Sequence, residues 1–456
     1  MSDNSSILHV SASESDHGIS MTVEDKAYAI TFPDDIWKTT PPSVRATLTE
    51  NLTYANTHFI PLLLDRDGIY YDMGIPLFES FLYRNQLYDL TYCEWVDSKP
   101  LLSYVKRFYN LDLDFSSYKS AMPLAEELRF KKMAKDSAVL PFSFGKESML
   151  AFALCNELGI NPILVYTDEP TQPYERLPKQ QILNKLSKEF GVKTYYTGNE
   201  PGMFRYGEAF GLTDKSDVGW AAQTTILSLM AIPFAYRHQS RYILYGTEHA
   251  NNDIEQNEDW KIYSSFDQTE FWTAQQSNMT RILTGGHTTV NCLLEPLEEL
   301  HIFHMLHSKY TEYGKYQFSC FASKPLVEGS QWCHNCSKCA RNFLYAVALG
   351  IDPEKVGFKK NLLEDPDGFI DYFDSLEYDY DNDMDYAMYL LSLRRNTSKA
   401  VQNFEKVKKP RLKPFAFFVE HFSTLKSHRS MPSDYESRVM KLFTLEMADF
   451  ATATRV

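Results

Sequence analysis

The stretch Val139-Leu140-Pro141-Phe142-Ser143-Phe144-Gly145-Lys146-Glu147-Ser148 runs from an apolar, strand-forming segment through a glycine turn into a helical pattern. That order has a physical consequence. The first amides of a helix lack intrahelical acceptors, and together with the helix dipole they form a ready site for an anion. Gly145 is expected to take a conformation closed to residues bearing a Cβ. Lys146 adds positive charge, and the Ser143 and Ser148 hydroxyls can donate to phosphate oxygens. No glycine precedes Gly145 at the spacing of a Walker A loop. A serine-rich turn that only caps a helix is the competing reading.

Around this stretch, short β-branched or apolar runs at 138–142, 162–166, 192–196 and 242–245 alternate with amphipathic helical patterns at about 147–158, 177–190 and 221–237. Strand and helix alternating at that spacing specify an α/β fold, a doubly wound parallel sheet with helices on both faces. Ligands then bind at the carboxyl ends of the strands. Two further strand ends carry polar chemistry. One is Val165-Tyr166-Thr167-Asp168-Glu169; the other is Leu244-Tyr245-Gly246-Thr247-Glu248-His249, followed by Asn251, Asn252 and Asp253. Each acid alone reads equally well as a helix cap or a surface charge.

The remainder divides into three parts. Residues 1–16 are polar and Ser/Asp-rich, the composition of a disordered tail. Residues 17–135 read as an α+β domain: a hairpin over 19–32 about Glu24-Asp25-Lys26, a helix after Pro42, a turn at 65–71 leading into a strand, and a Phe/Tyr/Leu-rich run at 77–90. The nucleotide-type region spans 136–345. Residues 346–456 are helical in pattern, a cap or a surface for a homo-oligomer, with a basic stretch from Lys406 to Lys413 that reads as a solvated loop.

Composition narrows the function classes. The chain has 456 residues, is 44% hydrophobic and 14% aromatic, and carries a formal charge of -14 spread along its length. It can bury a large core, and its charge disfavours nucleic acid and anionic membrane, leaving small molecules as substrates. No run approaches the roughly 20 uninterrupted apolar residues of a membrane span, and the N-terminus lacks a basic-then-apolar signal, so a cytoplasmic location is expected.

Seven cysteines occur. Cys333-His334-Asn335-Cys336-Ser337-Lys338-Cys339 holds two consecutive Cys-x2-Cys steps, with Cys320 upstream. Four thiolates suit a closed tetrahedral structural zinc site; an iron–sulfur cluster and unligated or redox thiols are the alternatives, and His334 could stand in for Cys320. Lys338 and Arg341 lie beside the cluster and read as facing either a pocket or the surface. Cys93, Cys155 and Cys292 read as ordinary core residues.

The 143–148 loop resembles the Ser-Gly-Gly-x-Asp-Ser loop of the ATP pyrophosphatases (PP-loop, adenine nucleotide alpha-hydrolase-like) in its Gly-Lys-Asp-Ser variant, with Phe144 in place of the first glycine and Glu147 in place of the aspartate. A loop of this type followed by four cysteines is similar to 7-cyano-7-deazaguanine synthase, though that family is shorter and lacks the Tyr/Phe-rich N-terminal part. A closer likeness covers nearly the whole chain, through 78–85 (Phe-Glu-Ser-Phe-Leu-Tyr-Arg-Asn), 142–148, 245–253, 260–267 (Trp-Lys-Ile-Tyr-Ser-Ser-Phe-Asp) and 332–341. These segments resemble the UDP-N-acetylmuramoyl-L-alanyl-L-glutamate epimerase family of peptidoglycan synthesis.

The resemblance implies binding of ATP by Ser143, Phe144, Gly145, Lys146, Glu147, Ser148, Tyr166, Asp168, Gly246 and Thr247. It also implies Mg²⁺ held by one or two of Asp168, Glu169, Glu248 and Asp253, and structural zinc on Cys320, Cys333, Cys336 and Cys339. ATP would adenylate the terminal glutamate of a UDP-muramoyl dipeptide, and the acyl-adenylate would acidify the adjacent Cα–H for inversion. Lys146 would serve the phosphates. Glu248, His249, Asp267, His287 and Lys261 are the candidates for the acid and base that inversion requires. Arg84 and Arg281 could pair with substrate carboxylates, and Gly285-Gly286 could approach a diphosphate. The alternatives are another carboxylate-adenylating enzyme, such as an amide ligase, and an inactive nucleotide-binding module.

Overall fold

The computed structural model describes residues 6–456 apart from 129, 131–133, 172–173, 214–215, 321, 323–324 and 375–381. Its strands are β1 (Ile7–Ser15), β2 (Gly18–Val23), β3 (Lys26–Thr31), β4 (Gly68–Gly74), β5 (Asp112–Ser117), β6 (Ala134–Pro141), β7 (Asn161–Asp168), β8 (Lys193–Asn199), β9 (Ser240–Tyr245), β10 (Ile254–Asn257), β11 (Trp260–Tyr263) and β12 (Thr289–Cys292). All but β10 and β11, which pair as a separate hairpin, form one 10-stranded sheet in the order β12-β9-β6-β7-β8-β3-β2-β1-β4-β5.

The half of the sheet from β12 to β8 is parallel. Its central strands β6, β7 and β9 carry the buried apolar runs Ala138–Leu140, Ile163–Tyr166 and Tyr242–Leu244 because both faces are covered there. Along β6, Ala138 and Leu140 enter one core with the helices Lys146–Leu158 and Glu299–Ser308, while Val139 enters a second core with the helix Gln223–His238. Starting at β6, the chain lays down β7 and β8 on one side, then returns to place β9 and β12 on the other. The crevice between β6 and β9, at their carboxyl ends, is therefore where the strand order reverses, the place such sheets bind ligands.

The N-terminal strands extend the same sheet. β3 joins β8 antiparallel through Ile30↔Asn199 and Thr31↔Gly198. The expected hairpin forms between β2 and β3, with Val23 opposite Lys26. The expected helix after Pro42 is Pro42–Thr57, and the 77–90 run lies largely in the helix Glu79–Val96. One core runs under both halves, holding Val10 and Ile69 together with Val139 and Ile243.

Two expectations need correction. Residues 7–15 are not a disordered tail; they form β1, paired with β2 on one side and β4 on the other, with Leu8 and Val10 buried. The polar composition of 1–16 conceals a short alternation of inward apolar residues. Residues 1–5 lie outside the described residues. In the helical C-terminal region, the stretch 406–413 is not wholly solvated, since Lys408 is 3% exposed and its ammonium lies 3.7 Å from the centre of the Tyr372 ring. The segment 218–238 is long and apolar enough to cross a bilayer by length and composition; 83% of that apolar window is buried inside the protein.

Candidate functional site

At the crevice between β6 and β9 lies a cleft of about 520 Å³. The 143–148 loop forms its floor, Tyr166, Thr167 and Glu169 come from the end of β7, Gly246, Thr247 and Glu248 from the end of β9, and Trp220, Gln223 and Thr224 close it from the far side. The volume lies within the range of small-molecule sites.

The loop is built differently from its sequence reading. Gly145 has φ −65° and ψ 164°, open to any residue; the left-handed position is Phe144, at φ 68°. Glycine is favoured in that conformation, which is the local reason for a glycine where Phe144 stands. Phe144 is fully buried, with its ring edge-on to Phe142 at 4.8 Å and to Tyr166 at 5.3 Å, and its carbonyl accepts from Phe318 N at 2.7 Å. A Cβ at Gly145 would lie 2.8 Å from Glu147 Oε2, the end of a flexible side chain that can move aside. Gly246, by contrast, is required by space, because a Cβ would lie 2.5 Å from the Glu147 carbonyl oxygen, a backbone atom that cannot yield. That close approach brings the end of β9 against the first turn of the loop helix. The Ser143 hydroxyl, on an exposed residue, accepts from Gly145 N and donates to Ser148 Oγ, both at 3.3 Å.

Lys146 is 3% exposed and surrounded by acids. It pairs with Glu147 and, at 2.5 Å, with Glu299, and Glu147, Glu248 and Glu299 offer oxygens within 4.8 Å of one another. Burial alone would lower the Lys146 ammonium, but these three carboxylates outweigh it and hold the group charged, above the ordinary lysine value. Glu299 is the counterpart: burial opposes its charge, and Lys146, Arg341 and Lys338 overcome that and hold its carboxyl low. Glu248 goes the other way. Burial and the Glu299 charge push its carboxyl up, Lys146 offsets them in part, and its Oε2 is buried with no hydrogen-bond partner among the described residues.

Four predicted acids or bases lie elsewhere. His287 precedes β12 and so sits at the amino ends of the strands, against Phe130, on the opposite edge of the sheet. Arg281, Gly285 and Gly286 belong to the same edge: the two glycines, at φ 61° and 83°, terminate the helix Glu270–Leu283, and Gly286 N donates to Arg281 O. Asp267 is buried behind the cleft, where its carboxylate accepts from Thr224 N at 2.7 Å and Thr224 Oγ1 at 2.8 Å, closing the open end of the helix Gln223–His238. His249 follows Glu248 but faces Glu298 and Asp253 rather than the cleft. Lys261 is exposed on β11, and Arg84 stacks on Tyr88 and Phe271.

The acids expected to bind a cation are also redistributed. Asp168 accepts from Tyr196 OH at 2.5 Å and pairs with Arg176 at 3.2 Å. Glu169 reaches the cleft, yet both its oxygens are held by Arg205, with Asn199 and Gln223 as further donors. Burial works against the Glu169 charge and Arg205 overrides it, keeping that carboxyl low. Asp253 does not line the cleft. Glu299, Asn342 and Gln223 were not identified from sequence. Glu299 was legible by the same rule that found the others, since Leu293-Leu294-Glu295-Pro296-Leu297-Glu298-Glu299 follows the carboxyl end of β12.

The four cysteines converge beside this cleft. Sγ separations are 3.8 Å for Cys320–Cys336, 3.8 Å for Cys333–Cys339 and 3.5 Å for Cys336–Cys339. Bonds of about 2.3 Å to a tetrahedral zinc place sulfurs about 3.8 Å apart, so the set could hold a zinc ion, and these separations exceed the S–S bond of a disulfide. His334 is not a member: its Nε2 accepts from Lys359 N at 2.9 Å. Cys320 itself lines the cleft, and the helix Ser337–Ala348, capped by Cys336, presents Lys338 and Asn342 to it.

Comparison with protein-family models and with curated proteins finds no match to this chain.

Proposed function

We propose that the chain is an ATP-dependent epimerase of the PP-loop type, acting in peptidoglycan synthesis. It adenylates the α-carboxylate of the terminal L-glutamate of UDP-N-acetylmuramoyl-L-alanyl-L-glutamate and releases the D-glutamate epimer, AMP and diphosphate. The observation that carries this reading is the placement of Lys146 and the open helix start behind Ser143 in a cleft where the strand order reverses, which supports nucleotide phosphate binding.

A carboxylate oxygen attacks the α-phosphorus and diphosphate leaves with the cleaved P–O electron pair. The acyl-adenylate withdraws electrons from Cα, whose proton passes to a base and is replaced from the opposite face. Water then attacks the acyl carbon and AMP departs. A free carboxylate would oppose the neighbouring carbanion; the mixed anhydride removes that charge. Glu248 is the predicted base that lines the cleft, and a carboxyl pushed up by burial is suited to exchanging a proton near neutral pH. Ser143, Ser148 and the first helical amides hold phosphate oxygens, and Lys146 neutralises them. Of the acids around Lys146, Glu147 is the one given no other role and would hold Mg²⁺, which would supply charge neutralisation. Zinc on the four cysteines would be structural, since protein fills every ligand position.

Incubation with ATP, Mg²⁺ and the UDP-muramoyl dipeptide in D₂O, followed by chiral and mass analysis, tests the reading. AMP, diphosphate and D-glutamate carrying one deuterium at Cα are expected. An amide ligase would give AMP and a new amide with no exchange at Cα, and an inactive binding module would leave ATP intact; either outcome would replace this proposal.

A further inference from the structure

One buried carboxylate joins the cysteine site to the loop. Glu299 is 3% exposed; its Oε1 lies 2.5 Å from Lys146 Nζ, and its Oε2 accepts from Arg341 Nη1 at 3.0 Å and from Tyr345 OH at 2.6 Å. Arg341 and Tyr345 stand on the helix Ser337–Ala348, whose N-cap is Cys336 and whose first turn holds Cys339. Tyr345 is fully buried. The two oxygens of one side chain are thus divided between the phosphate loop and a helix whose start carries two of the four thiols.

A carboxylate in such a position cannot drift from either side cheaply. Separating it from one partner leaves a buried charge unpaired, which is strongly disfavoured. Displacement of the helix start therefore carries Glu299, and with it Lys146, in preference to breaking the link. A lysine on the first residue of a helix has freedom of its own; here that freedom is removed by a group that answers to the cysteines.

We propose that Glu299 is a positioning residue that couples occupation of the four-cysteine site to the placement of Lys146, so that metal and nucleotide are bound with positive linkage. The proposal rests on the phosphate-loop reading above. Linkage is reciprocal: if the metal sets Lys146, nucleotide on the loop must in turn alter the metal site. Cys320 lines the cleft, so direct contact between nucleotide and a metal ligand is the rival explanation.

Replacing the metal with Co²⁺ makes the thiolate site visible through its ligand-field bands, and ATP binding is followed separately by equilibrium dialysis. Bound ATP is expected to shift the cobalt bands of the wild-type protein and to slow loss of zinc to a chelator by roughly fivefold or more, the lower end of ordinary coupling. Glu299→Gln is expected to bind both cobalt and ATP with no shift, and Tyr345→Phe, which removes one of the two links, to show a reduced one. Bands that move equally in wild type and Glu299→Gln would assign the effect to direct contact at Cys320 and overturn the proposal. Bands that stay still in wild type with ATP bound would overturn it while leaving the phosphate loop intact. Failure of the wild-type protein to bind ATP would remove both. Should Glu299→Gln not fold, Tyr345→Phe decides: an undiminished shift contradicts the coupling.

Discussion

At Phe144 two effects of opposite sign meet. The backbone sits at φ 68°, which costs a residue with a Cβ roughly 1 kcal/mol, while the ring is fully buried against Phe142 and Tyr166. Removing a buried phenyl ring typically costs about 3–5 kcal/mol, so burial wins and the residue is tolerated where glycine would be the unstrained choice. Phe144→Ala keeps the strain and loses the ring; Phe144→Gly loses both. The glycine variant should therefore be the more stable of the two by about 1 kcal/mol in urea unfolding, and both should be less stable than the natural protein. Equal stabilities would mean that the loop relaxes away from this geometry. The role of the loop is better probed at Ser143 than at Lys146, whose removal would strand the buried Glu299 charge and destabilise the fold by itself. Ser143 is exposed and its bonds are long, so Ser143→Ala should change stability by less than about 0.5 kcal/mol yet slow diphosphate release by roughly tenfold or more. An unchanged rate would remove the hydroxyl from phosphate binding.

The elements that position the cleft are strand ends and helix starts, and they differ in how far sequence exposed them. The ends of β6, β7 and β9 were readable because a hydrophobic run stopped at a polar cluster and a helical pattern followed. What the pattern could not supply was direction. Asp267 lies in a short segment between β11 and a helix, near the cleft in space, but its carboxylate is turned to the start of the helix Gln223–His238. His287 has a similar sequence neighbourhood and falls on the wrong edge of the sheet, a matter of which end of β12 it adjoins. The capping role of Asp267 has a measurable consequence. Burial raises its carboxyl from 3.8 to about 6, the Thr224 bonds offsetting only part of the effect. The folded state therefore holds this proton more tightly than the unfolded chain. The stabilisation it gives is complete below 3.8 and is lost as pH rises through about 6. Relative to Asp267→Asn, the wild-type protein should lose up to about 3 kcal/mol across that interval, read from urea midpoints at a series of pH values. A constant difference would show that folding leaves this carboxyl where the unfolded chain has it.

At the scale of the whole molecule, the parallel half of the sheet and the convergence of four cysteines were legible, because each rests on spacing along the chain. The continuation of that sheet into β1–β5 was not, since the junction of β3 with β8 pairs residues near 30 with residues near 199 and leaves no local trace. The same holds for Glu299, which meets Arg341 and Tyr345 across the core. Long-range pairing sets the cleft between two arms, with the loop and β9 brought to contact by Gly246 and the cysteine helix forming a wall. In the proposed reaction this cleft brings the α-phosphate of ATP to a substrate carboxylate. Supplying the UDP-muramoyl dipeptide with both terminal α-carboxylate oxygens as ¹⁸O and examining the nucleotide product by mass spectrometry tests it directly. AMP carrying one ¹⁸O, transferred through the acyl-adenylate, is expected; unlabelled AMP formed alongside inverted glutamate, or ADP in place of AMP, would contradict adenylation of the substrate.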